Sequence, residues 1–160
     1  MSSPPPRRRG RALAAALLLL AAVPAGAQTV QITRLSDVTF GALPMDGSDQ
    51  IKSQSVCAYS GLFGGRYSVS ATGSGAGNAF TLANGAATLP YEVQWNGSAG
   101  QTSGAALTVG GTLPGQTMLL SCSALNPVNA SLIVLVRGAA ILQARAGDYS
   151  GTLTILLSPN

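Results

Sequence analysis

The sequence contains no histidine, and only 9% of its 160 residues are charged. Without histidine neither a Ser-His-Asp nor a Cys-His nucleophile can be assembled, and the commonest metal ligand is missing. Cysteine occurs twice, at Cys57 and Cys122, too few for a structural zinc site. The glycine clusters lack the lysine and the strand-to-helix setting of a phosphate-cradling loop, so no cofactor is indicated. Acidic residues number five and are scattered. Only Asp46 and Asp49 lie close together, and Asp46-Gly47-Ser48-Asp49 lacks the further oxygen ligands of a calcium loop, so it reads as a solvated turn. A hydrolytic carboxylate pair would have to be made by folding, from Asp46 or Asp49 with Glu92. These absences point away from an enzyme or a metalloprotein.

Long apolar runs are also scarce. The longest spans Ala12 to Val23, too short for a permanent membrane helix. It follows Arg7, Arg8, Arg9 and Arg11, is broken by Pro24, and leads into Ala25-Gly26-Ala27. That is the pattern of a secretion signal, with cleavage expected after Ala27. Residues 28–160 are then the exported domain, with no membrane span. Four of the nine basic residues leave with the signal, and Arg34, Lys52, Arg66, Arg137 and Arg145 balance the five acids. A neutral domain gives no reason to expect nucleic acid or anionic membrane as a partner, and it has little charge to hold copies apart. In an oxidising compartment Cys57 and Cys122 are expected to pair; two buried thiols are the alternative.

Beyond the signal, short stretches alternate with a period of two. Examples are Val30 and Ile32, Val38 to Ala42, Tyr67 to Ala71, Tyr91-Val93-Trp95, Met118-Leu120-Cys122, and Leu153-Ile155-Leu157. Each reads as a strand with one face in a core. Leu132 to Val136 is apolar on both faces, as in a central strand or one beside a groove filled by another polypeptide. Turn signals such as Pro44 to Gly47, Gly73 to Asn78, Asn84-Gly85 and Gly110-Gly111 punctuate the strands. The spacing predicts a single all-β antiparallel sandwich or barrel. Ala139 to Ala146 has the composition of a helical turn and reads as the link between the last two strands. Tyr91 and Trp95 share a face with Val93, either in the core or as a stacking platform for a glycan. Tyr149, just before the last strand, reads as a tyrosine tucked under a sandwich corner and bonded to backbone.

The ordered set Phe40-Gly41, Cys57-Ala58-Tyr59-Ser60, Leu89-Pro90-Tyr91, Cys122 and Ala146-Gly147-Asp148-Tyr149-Ser150 resembles the spore coat protein U family, largely subunits of archaic chaperone–usher pili. The resemblance implies an immunoglobulin-like β-sandwich missing its last strand and doing no chemistry. It implies polymerisation by donor-strand complementation, in support of surface attachment or biofilm. The implied partners are a periplasmic chaperone, an outer-membrane usher and other pilin subunits. Carried onto this chain, it makes Leu153, Ile155 and Leu157, with Leu132, Val134 and Val136, the acceptor groove. It makes residues 28–35 the donor strand, with Val30 and Ile32 as anchors. The sequence departs from the family pattern in one respect: Phe40-Gly41 precedes the first cysteine and the arm is short. Residues 28–35 are therefore also readable as the first strand of the domain. The other functional reading is a self-complete cell-surface sandwich that binds a glycan on Tyr91 and Trp95.

Overall fold

Four of the six alternating stretches become strands, separated mostly by short glycine-rich turns. Val38 to Ala42 does not, because the chain has left its ladder and turns at Gly41 (φ +69°). The described residues of 118–122 form a loop held by a disulfide, with Leu120 exposed rather than facing the core. The computed structural model describes residues 29–61, 64–118 and 120–160; the expected secretion signal, 1–27, and Gln28 lie outside these. In chain order the strands are β1 (Val30–Thr33), β2 (Gln50–Ser60), β3 (Arg66–Gly73), β4 (Thr81–Asn84), β5 (Ala87–Pro90), β6 (Glu92–Asn96), β7 (Ala105–Leu107), β8 (Thr112–Thr117), β9 (Ala130–Val136) and β10 (Leu153–Pro159). A short helix, α1 (Gly138–Gln143), links β9 to the approach to β10, within the stretch whose alanines and leucine favour a helical turn. A single 3-10 turn, Ala76–Asn78, sits in the glycine-rich segment after β3.

Every strand pairing is antiparallel. One sheet has the order β1-β2-β9-β6-β7 and the other β10-β3-β8, with β4-β5 as a separate hairpin. The two larger sheets enclose one core, in which Val56, Ala58, Leu132, Val134, Val136, Val93 and Trp95 of the first meet Tyr67, Val69, Ala71 and Leu157 of the second. This is an immunoglobulin-like β-sandwich. β4-β5 closes on the two-residue turn predicted by Asn84-Gly85, with Gly85 at φ +59°. Its Ala83 exchanges backbone hydrogen bonds with Ser150, which pins the lead-in to β10.

β9 is buried along its whole length because it lies between β2 and β6 and is covered on both faces. Its inner face meets the core. On its outer face the β6–β7 loop folds back: the Gln101 N–H donates to Ser131 Oγ, which itself donates to the Ser98 carbonyl, both at 2.9 Å. The central-strand reading of this apolar segment is the one the structure shows.

Candidate functional site: the open side of the sandwich

A sandwich has two lateral sides, and here they are finished differently. On one side lie β7 and β8, joined by the tight turn at 108–111. β7 is three residues long, and β8 carries Pro114, Gly115 at φ +77° and a register shift against β3. Short length, proline and a bulge are the usual means of blunting a sheet edge against unwanted pairing. On the other side lie β1 and β10. β10 pairs with β3 in unbroken register over seven residues and has neither a charge nor a bulge, with its one proline, Pro159, at the end. Among the described residues nothing pairs with its outer edge.

The ladder fixes which groups that edge presents. The Asn160 N–H donates to the Arg66 carbonyl, so the even-numbered residues of β10 turn their peptide groups toward β3. Leu153, Ile155 and Leu157 therefore turn theirs outward. Their side chains point into the sandwich: Leu157 is buried, and Leu153 and Ile155 are half-buried against the core. Leu156, on the other face, is exposed. The same three residues thus offer both unpaired backbone groups and apolar side chains.

The facing edge belongs to β1. Its register with β2 runs from Val30 opposite Ser60 to Thr33 opposite Cys57, and the Gly61 N–H donates to the Thr29 carbonyl at 2.7 Å. Gln31 and Thr33 consequently bond to β2, while Val30 and Ile32 turn their peptide groups away from it. Both side chains pack half-buried against the core. The segment expected as a donor is thus the edge strand of its own sheet here. Leu132, Val134 and Val136 lie two strands further in, on β9, and form part of the core behind the gap.

The remaining candidates fall elsewhere. Tyr91 and Trp95 are 7% and 1% exposed, on the core face of the sandwich, so neither presents a ring to a glycan. Burial pushes the Tyr91 and Tyr67 hydroxyls above the usual tyrosine range. For Tyr67 the nearby Trp95 indole opposes this slightly, although the indole N–H is buried without a well-formed hydrogen bond. Tyr149 packs against the core, but its buried hydroxyl has no partner among the described residues, unlike the backbone-bonded corner tyrosine expected.

Asp49 and Glu92 are brought together, with Arg137 between them. Arg137 Nε and Nη2 donate to the two Glu92 oxygens at 2.7 and 2.8 Å, and Nη1 donates to Asp49 Oδ2 at 2.8 Å. The Gly138 N–H, and then Arg137, hold the Asp49 carboxyl below its usual range; Arg137 does the same for Glu92. Arg137 thus ties Asp49 and Glu92 together, and the cluster is a clamp joining the ends of β2, β9 and β6. Asp46 lies outside it and bonds to Ser48 within its own turn. Gly138 sits so close to the Gly47 carbonyl that a Cβ there would collide with it.

Cys57 and Cys122 form a disulfide with Cα atoms 5.7 Å apart, tying β2 to the loop that leads into β9. Beside it stands Asn129, which the sequence reading passed over. Its Oδ1 accepts from the Ala58 N–H at 2.9 Å, and its Nδ2 donates to the Ala58 carbonyl at 2.8 Å. No periodicity marks this residue, since its side chain does the work of backbone.

Comparison with known proteins adds one finding about the fold. No protein-family model matches the chain. No curated protein matches it either. Among solved structures it is similar to a chain of a chaperone–tip adhesin complex described as vital for synergistic activation of CFA/I fimbriae biogenesis, with 20% identity and a TM-score of 0.50. The match covers 82% of this chain and 41% of that one, so this chain spans about two fifths of its neighbour's length. At this identity the likeness is one of fold.

Proposed function

We propose that this chain is a structural subunit of a pilus of the chaperone–usher kind, joined to its neighbours by a strand added along β10. The observation that carries the reading is the contrast between edges. β8 is blunted by Pro114 and a bulge, whereas the outer edge of β10 is left regular, uncharged and, among the described residues, unpaired. An extended segment of another chain would bond to the peptide groups of Leu153, Ile155 and Leu157 and bury its alternate side chains beside theirs. Each apolar side chain fully buried there would contribute about 1.5–3 kcal/mol. The likeness in fold to a component of a fimbrial chaperone–adhesin complex supports the same reading.

Under this proposal residues 1–27 direct export, a periplasmic chaperone first covers the β10 edge, and an usher then exchanges it for a neighbouring subunit's strand. The chain ends at the cell surface, in support of attachment or biofilm. The disulfide suits an oxidising compartment. Residues 28–35 are the proposed donor, with Val30 and Ile32 as anchors, which requires them to leave β2. The glycan-binding alternative gains no support, because Tyr91 and Trp95 are buried. No catalytic role is proposed for Asp49 and Glu92, both of which are bound to Arg137.

The test is to express the full precursor in a periplasm, with and without a co-expressed chaperone, and to run the product unboiled on a denaturing gel. The proposal expects a ladder that collapses on boiling and a monomer whose yield depends on the chaperone. A stable, chaperone-independent monomer would overturn it in favour of a closed sandwich.

A further inference from the structure

The open side is narrower than an added strand needs. Facing sheets in a sandwich stand about 10 Å apart, and a strand bonded to neighbours on both sides needs those neighbours about 9.5 Å apart. Yet Cα atoms of β1 and β10 approach within 8 Å, although the two strands are not a bonded pair. β1 therefore leans across the mouth of the gap, with Val30 and Ile32 packed against the same core as Leu153 and Ile155.

Its attachment is slight. Among the described residues its ladder with β2 covers Val30–Thr33, extended by the Thr29–Gly61 bond, and none of the four strand residues is fully buried. The ladder stops at Arg34, a non-glycine residue held at φ +65°. The next residues do not resume it, although Ser36 comes level with Gln54 in the same register. Instead the Gln54 side-chain amide bonds to Ser36, accepting from its N–H at 2.9 Å and donating to its carbonyl at 3.2 Å. A shallow cleft lined by 36–39 and 52–54 lies where paired strands would have continued.

From these observations, and resting on the strand-acceptance reading above, we infer that β1 is a displaceable cap on the acceptor. In the unassembled chain Val30–Thr33 closes the gap in cis. An incoming extended strand with alternating apolar side chains gains β10 only when β1 swings aside about Arg34. The same movement frees Val30 and Ile32. Occupancy of β10 and release of β1 are then one event.

The experiment locks β1 to β2 by combining Val30→Cys with Ser60→Cys, two positions directly opposed in the register. Ser60 is buried, and its hydroxyl has no partner among the described residues. The full precursor is expressed under oxidising conditions and run unboiled, beside the wild type and each single substitution. The cap predicts a ladder from the wild type and from Ser60→Cys, a weaker one from Val30→Cys, whose altered anchor donates less well, and none from the locked chain. A locked chain that polymerises as well as Val30→Cys alone overturns the cap and leaves strand acceptance standing. If the wild type forms no ladder, strand acceptance itself fails and the cap falls with it.

Circular dichroism establishes whether the locked chain folds; if it does not, hydrogen exchange of the wild-type monomer decides. The amides of Gln31 and Thr33 should exchange at least ~10-fold faster than those of Leu132 and Val134, as expected of a locally opening segment. Equal protection would overturn the cap.

Discussion

Two side-chain amides stand in for backbone on β2. Asn129 satisfies the Ala58 N–H and carbonyl just before β9 begins, and Gln54 does the same for Ser36 just after β1 ends. Ala58 is fully buried, so removing its partner leaves a donor and an acceptor unsatisfied. Asn129→Ala should therefore cost about 1–3 kcal/mol in urea denaturation. Asn129→Asp, which accepts but cannot donate, should restore little of this. A cost near zero would mean that water replaces the amide. Arg137 makes a different prediction. Asp49 and Glu92 both have carboxyls held low in the fold, so their stabilising contribution is complete above the ordinary carboxylate range and lost as pH falls through the lowered values. The melting temperature of the domain should be flat near neutrality and decline below about pH 4. Arg137→Ala should shrink the part of that decline that moderate salt also weakens, because the clamp is half-exposed.

At the scale of the strand, β10 separates two kinds of peptide group. Leu156 turns its N–H to β3, whereas Ile155 turns its own to the open edge. Leu156→Pro should break the ladder and destabilise the monomer, as proline does inside a sheet. Ile155→Pro should leave the ladder to β3 paired and the monomer folded by circular dichroism, yet stop fibre growth. Equal destabilisation by both would mean that the outer edge is already bonded. These strands were legible because period-two alternation reports burial on one face, and burial is what a sandwich imposes. Leu132 to Val136 was legible as apolar on both faces but ambiguous in cause. Part of the cover is the β6–β7 loop, whose polar, glycine-rich sequence gives no sign that it folds back onto Ser131 at the start of β9. Val30 and Ile32 were legible as a strand. Which chain they pair with was not, because a strand's pattern is the same in cis and in trans.

Across the whole molecule, two cysteines and regular turn spacing foretold a disulfide-tied sandwich. The open side was not legible in the same way, because it depends on how edges are finished. Pro114 and Gly115 carry that information for β8, and their meaning appears only once β8 is known to be an edge. Arg137 was a cheaper signal, a lone cation directly after the most apolar run in the domain. The central claim is that the outer edge of β10 is vacant in the monomer and bonded in the assembled form. The direct measurement is amide hydrogen exchange of Leu153, Ile155 and Leu157 in the isolated chain and in the fibre or chaperone complex. The account predicts rapid exchange at these three amides in the monomer and strong protection on assembly, with Leu156 protected in both. Protection already complete in the monomer, or absent from the assembled form, would contradict it.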